Sequence, residues 1–289
     1  MTAPASPTPK RPIWRRWFNF LLRVKEGIER DHLPIAAGGV AFFLMLGIFP
    51  GLAALFSIYS WLADPMEIEY QLEMEPGFLP SEVHQILHSQ VRRVAGEGRG
   101  AGWGAVLGIS LALWAGSRAM NGLIQGLNIV FSQSEKRGFI SLQVASLVLT
   151  LALLVVVTLA LLLIAVMPAI VAALPGEEVT LQIFSILRWP ILLAIVIVLL
   201  ALLYRFGPSR NHSTFKWISP GAIAATLLWL AASALFSYYV ANFASYHATY
   251  GSLGAVAILM LWLYITAFLI LLGAEIDETI RHHPPPLLS

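Results

Sequence analysis

The apolar residues of this chain fall in long blocks rather than at the three-to-four-residue spacing of an amphipathic soluble helix. A hydrocarbon core of about 30 Å needs roughly 20 apolar residues of helix to cross it. Six stretches meet that length: about 35–62, 102–131, 141–173, 182–206, 215–243 and 250–277. The pattern predicts an all-α, polytopic membrane protein built as a six-transmembrane-helix bundle over residues 34–280, with a short tail at 281–289.

Two segments outside the spans have a different period. Residues 1–12 are Pro-rich and read as a disordered tail. From Trp14 to about Glu29, Trp14, Trp17, Phe18, Leu21, Leu22, Val24 and Ile28 interleave with Arg15, Arg16, Arg23 and Lys25. That mixture predicts a helix lying on an anionic membrane surface, so residues 1–33 form a tail and a basic interfacial helix whose partners are membrane lipids. Arg23 and Lys25 break the apolar stretch, so it is not a signal peptide. In the long loop 63–100, Val83, Ile86, Leu87, Val91 and Val94 recur at helical spacing after Pro80 and Ser81, predicting an amphipathic outer-face helix. His84 and His88 stand at i, i+4 on it; they are a metal-ligand spacing without a third ligand, or simply its polar face.

Charge placement gives the orientation. The segment before Pro34 carries seven Lys/Arg against three acids, and the loop 63–100 carries seven acids against Arg92, Arg93 and Arg99. Lys136 and Arg137 mark the second loop, Glu177 and Glu178 the third, and Arg205, Arg210 and Lys216 the fourth. Basic excess alternates with its absence, so the N-terminus, second loop, fourth loop and C-terminus are expected on the cytoplasmic side of a bacterial inner membrane. Of the 289 residues, 58% are hydrophobic and only 12% charged, too little polar surface for a soluble domain. Absence of Cys removes disulfides, thiolate metal sites and cysteine nucleophiles, and a net charge of +2 gives no footprint for nucleic acid.

Polar groups inside a span are costly unless compensated, so they point to function. The second span concentrates them. At about 100° per residue, Ser110, Trp114, Arg118, Asn121, Gln125 and Asn128 share roughly one 80° sector. Gly104, Gly108, Ala112 and Gly116 form a small-residue face opposite, suited to close helix packing or to oligomerisation. The polar sector has two readings: amide glue between helices, or a cavity in which Arg118 binds a phosphate or carboxylate. On the sixth span Tyr250, Gly254, Ala257, Leu261, Tyr264, Phe268 and Glu275 share a face. Glu275, with Asp31 near the start of the first span, is a candidate for ion coupling or an ordinary interfacial carboxylate. Pairing of Glu275 with Arg118 would have to bridge about 10 Å of depth. Small residues at 36–39 predict tight packing of the first span, and Pro50 and Pro168 predict kinks.

Several segments resemble the YihY/virulence factor BrkB family of bacterial inner-membrane proteins. They are Tyr250-Gly251-Ser252-Leu253-Gly254, Leu261-Trp262-Leu263-Tyr264, Gly273-Ala274-Glu275, Ser117-Arg118-Ala119 to Leu127-Asn128, and Phe236-Ser237-Tyr238-Tyr239 with Asn242-Phe243. The similarity runs from about Asp31 to Glu278; Gly47 stands before Phe49-Pro50 where the family pattern has Ser. The resemblance implies a six-helix inner-membrane protein of ill-defined activity, under an older ribonuclease label. No His and carboxylate cluster on an aqueous loop, and no basic face, supports that label. No nucleotide-binding motif and no nucleophile–base spacing is present, so no cofactor and no enzyme activity is expected. The sequence therefore favours a transporter, flippase or exporter of an amphipathic anionic substrate such as a phospholipid or lipid-linked precursor. A non-transporting scaffold for an envelope complex is the alternative.

Overall fold

The computed structural model describes residues 13–62, 101–173, 178–209, 219–242 and 247–283, with side chains described for 13–53, 106–159, 190–209, 219–240 and 254–283. The expected outer-face helix with His84 and His88, the Pro-rich tail, and the side chains of Pro168 and Tyr250 lie outside these residues. The described residues form seven helices and no strand: α1 (Ile13–Arg30), α2 (Leu33–Leu62), α3 (Ala101–Val130), α4 (Phe139–Ala173), α5 (Glu178–Phe206), α6 (Pro220–Asn242) and α7 (His247–His282). Among them α2, α4, α6 and α7 contain stretches long and apolar enough to cross a membrane: Leu33–Ala53, Phe139–Leu159, Pro220–Val240 and Gly254–His282. In α5, whose side chains are described from Pro190 on, Pro190–Phe206 is apolar, and α3 is diluted by its polar residues.

Two helix boundaries differ from the hydropathy reading for local reasons. α6 starts at Pro220, not 215, because Ser219 caps it: the Ala222 N–H donates to Ser219 Oγ at 3.1 Å, and Pro220 occupies the first turn, where no N–H is needed. α7 runs five residues past 277, ending with Arg281 and His282, cations suited to a helix C-terminus. α3 ends in a Schellman turn. Ser132 takes the left-handed conformation (φ 50°), and the Gln133 N–H reaches back to Asn128 O at 2.8 Å.

α2 packs most extensively on α3, and α7 packs on both α2 and α6. The buried core lies toward one end, called basal below. There Leu33, Val40, Ile124, Leu127, Val130, Tyr204, Ala225 and Leu271 are almost fully enclosed. Away from it the bundle wears its apolar residues outside: Phe42, Leu107, Val155 and Leu235 are 53%, 62%, 58% and 71% exposed. A surface of that kind requires an apolar surrounding. α6 crosses α7 closely at two glycines. A Cβ on Gly221 would run into Gly273 O, and one on Gly273 would collide with the Tyr204 hydroxyl and come within 2.5 Å of Ala225 Cβ. The Tyr204 hydroxyl donates to Ile270 O at 2.5 Å, tying α5 to the same crossing.

The small-residue face of α3 meets two neighbours. Gly47 and Gly51 of α2 approach Ala112 and Ala115, while Gly116 lies against Thr150 of α4. The stretch 36–39 behaves differently from its expected close packing. Ala37 is buried, but a Cβ on Gly38 or Gly39 would meet nothing within 4 Å. These glycines leave space open.

Candidate functional site

The space at Gly39 belongs to a groove of about 770 Å³ between α2 and α3, reaching from the α1–α2 corner and the start of α4 up to Phe43 and Trp114. Helical rise accounts for its length: Trp114, Arg118, Asn121 and Gln125 step along one side of α3 at intervals of three and four. Opposite them Gly39 supplies no side chain, and since its neighbour Val40 packs on Gly122, the space it leaves lies at the level of Asn121 and Gly122. The rim is apolar and exposed, with Ile35 at 75%, Ile129 at 50% and Phe139 at 76%. The groove therefore combines a polar wall with a lateral apolar opening.

Arg118 is half-buried, with its guanidinium 5.8 Å from the centroid of the Trp114 ring, a cation–π contact. It makes no hydrogen bond or ion pair among the described residues. Below it the Gln125 amide donates to Asn121 Oδ1 at 2.6 Å, which orients the pair, and both residues line the groove. Asp31 and His32 close the basal mouth. His32 has φ 50°, a conformation unusual outside glycine, and its carbonyl accepts the first α2 amides from Ile35 and Ala36. This tight corner turns Asp31 inward, where it is 7% exposed, and Arg30 grips it with two bonds of 2.8 and 2.9 Å. The hydrogen-bonded Asp31 carboxylate pushes the Arg30 guanidinium further above its already high range.

The remaining residues singled out by spacing go elsewhere. Ser110 is exposed and donates to Val106 O at 2.7 Å, outside the groove lining. Asn128 shares the helical sector of Arg118 but is 4% exposed and committed at both ends. It donates to Glu135 Oε2 at 2.8 Å and accepts from the Ser209 N–H at 2.7 Å. Arg137 completes this knot, bonding Glu135 at 2.8 and 2.9 Å and Gly207 O at 2.7 Å, so the α3–α4 loop is fastened to the end of α5. Those Arg137 bonds, with help from the Asn128 amide, pull the Glu135 carboxyl down to about 2. Tyr264 stacks on Phe268 at 6.3 Å against the core.

Glu275 does not meet Arg118. It is 2% exposed and lies against Gly27 of α1, where a Cβ would overlap its carboxyl group. The Asp31 carboxyl is within hydrogen-bonding reach, and Thr279 Oγ1 donates weakly to Oε1 at 3.4 Å. A second cavity of about 580 Å³ lies between α1 and the end of α7, lined by Arg23, Glu26, Arg30, Glu275, Glu278 and His282 among others. Two neighbours of Glu275, Asp277 and Glu278, which the sequence places at the membrane interface, are buried at 7% exposure each. Asp277 accepts the Gly221 N–H at 2.6 Å and so caps α6 from α7. Glu278 holds Arg281 at 2.7 Å and His282 at 3.0 Å. Their buried roles depend on α6 and α1 arriving from distant sequence, for which an acidic helix end gives no signal.

Four strongly apolar helices, an apolar exterior and a polar groove with a lateral opening define a polytopic helical membrane protein. Residues 24–286 match the virulence factor BrkB family, and the chain belongs to that family. It is 30% identical over 255 residues to the putative ribonuclease-like protein YfkH of Bacillus subtilis, covering 84% of this chain and 88% of that protein. It is similar to UPF0761 membrane proteins of Tolumonas auensis (28% over 262 residues, 88% and 82% covered) and Idiomarina loihiensis (25% over 281 residues, 95% and 96% covered). No solved structure matches the chain.

Proposed function

We propose that this integral membrane protein is a transporter, working as a flippase or exporter, that moves an amphipathic anion such as a phospholipid or lipid-linked precursor. The observation that carries the reading is Arg118: a guanidinium with no acid partner among the described residues, on the polar wall of a groove with an apolar rim. A headgroup phosphate or carboxylate suits the guanidinium and the Asn121 amide, while acyl chains suit Ile35, Ile129 and Phe139. The same reading sets six crossings in a bacterial inner membrane with both termini cytoplasmic, following the alternation of basic loops. The groove then opens to the inner half of the bilayer. α1 lies along the inner surface, its Ile13, Trp14, Phe18 and Leu21 exposed for insertion and its Arg and Lys residues for anionic headgroups.

An enzymatic role has less support. The ribonuclease-like name belongs to the Bacillus subtilis relative, and among the described residues no three His or acidic side chains converge in a metal-binding group. The scaffold alternative predicts a sealed interior, and the open groove favours transport over it. The test is reconstitution with a fluorescent anionic phospholipid, following its movement between leaflets. Arg118→Ala should reduce the rate at least about tenfold, equivalent to about 1.4 kcal/mol of lost interaction, with Arg118→Lys intermediate because it keeps the charge but not the planar fork. An unchanged rate in Arg118→Ala refutes the anion site, and a wild type without lipid movement favours the scaffold.

A further inference from the structure

Asp31 links the two cavities: it lines the α2–α3 groove, while its partner Glu275 lines the cavity between α1 and α7. The two carboxyl groups are in hydrogen-bonding reach and are 7% and 2% exposed. Their surroundings differ. Arg30 compensates Asp31 through two short bonds, whereas Glu275 Oε2 is enclosed and has no hydrogen-bond donor among the described residues. Two adjacent carboxylates repel, and a buried unpartnered oxygen costs the full desolvation of that group. One proton resolves both problems, since a protonated carboxyl becomes a donor and its neighbour accepts. Gly27 is the third part of this arrangement, because any side chain there would displace the Glu275 carboxyl from the α1–α7 contact.

We propose that Asp31 and Glu275 form a proton-binding pair whose shared proton fastens α1 to the end of α7 at the basal mouth of the groove. Loss of the proton leaves two facing carboxylates against the single charge of Arg30, and α1 separates from α7. The other charged groups around the pair do not supply the missing compensation. On α1, Arg23 and Glu26 line the cavity as an opposed set. On α7, Glu278 is engaged by Arg281 and His282, and Asp277 faces the Gly221 N–H of α6. His32 lines the groove side of the corner, and His283 the cavity side. The consequence for transport, a proton gating access to the groove, rests on the reading of Arg118 as its anion site; the pair itself does not.

The experiment exploits a chain with no Cys. Spin labels on Cys introduced at the exposed positions Asn19 of α1 and His283 beyond α7 report the α1–α7 separation in purified full-length protein without substrate. The pH is varied from about 4, near the ordinary carboxyl range, to about 9. The separation should be short at low pH and shift to longer distance at high pH. Glu275→Gln should keep the short distance throughout, because its amide donates to Asp31 at every pH. Asp31→Asn, which removes the second carboxylate, should likewise lose the pH response and serves if Glu275→Gln does not fold. A constant separation in the wild-type background overturns the proposal whatever the variants do. So does a response that survives in either variant, which would assign it to the histidines. Arg118→Ala should retain the response, so failure of the anion site and failure of the proton pair give different results.

Discussion

The α6–α7 crossing at Gly273 and the open position Gly38 on α2 predict different outcomes for the same Gly→Ala substitution. Gly273→Ala places a methyl group in collision with the Tyr204 hydroxyl, 2.5 Å from Ala225 Cβ and 2.7 Å from Gly221 O. Two of these are backbone-fixed positions that no rotamer change relieves, so the helices must part by about 1 Å, judged against a normal carbon contact of about 3.5 Å. Overpacking of this kind costs about 1–3 kcal/mol, and displacing Tyr204 from Ile270 O adds about 1 kcal/mol. Better helix propensity returns about 1 kcal/mol, leaving a net loss of about 1–3 kcal/mol. Gly38→Ala has the same propensity gain and no contact within 4 Å to offset it. It should be neutral or stabilising by up to about 1 kcal/mol. Thermal unfolding of both variants in one detergent, followed by Trp fluorescence, measures the difference. Equal midpoints, or a Gly273→Ala protein as stable as wild type, would refute the close-crossing argument.

Gly39→Leu should keep thermal stability while lowering lipid movement severalfold, because a Cβ there meets nothing within 4 Å and the new side chain enters the groove near Asn121; leaflet-exchange rates and unfolding midpoints together check this. Glu135→Gln should destabilise the α3–α4 loop by about 1–3 kcal/mol near neutral pH. Since the Glu135 carboxyl is held down to about 2, its contribution is fully present above its ordinary value near 4.5 and is lost as pH falls toward 2. The gap between the wild-type and Glu135→Gln unfolding midpoints should therefore shrink across that acid range, and a gap independent of pH would exclude the ion pair as its source.

Much of the fold was legible because helix formation and apolar block length are local properties. The spacing of Trp114, Arg118, Asn121 and Gln125 already places them on one side of α3, since that angle depends only on helical geometry. It equally includes Asn128, and here local geometry misleads: Asn128 sits in the same sector, yet its amide is taken by Glu135 and Ser209. Similarly, the small residues at 36–39 look like a packing surface from composition, but only Ala37 is buried there, while a Cβ on Gly38 or Gly39 would meet nothing within 4 Å.

By itself, the sequence determined an all-helical chain with more apolar surface than water tolerates and one helix bearing a polar face. Tertiary structure decided which polar groups are satisfied and which are left for other partners. Asn128 meets Ser209 across 81 positions, Asp277 meets Gly221 across 56, and Glu275 meets Gly27 and Asp31 from the opposite end of the chain. A side chain's direction around its helix is fixed by residues within a turn of it. The chemistry it meets there is fixed by the helix packed opposite, which sequence spacing does not encode.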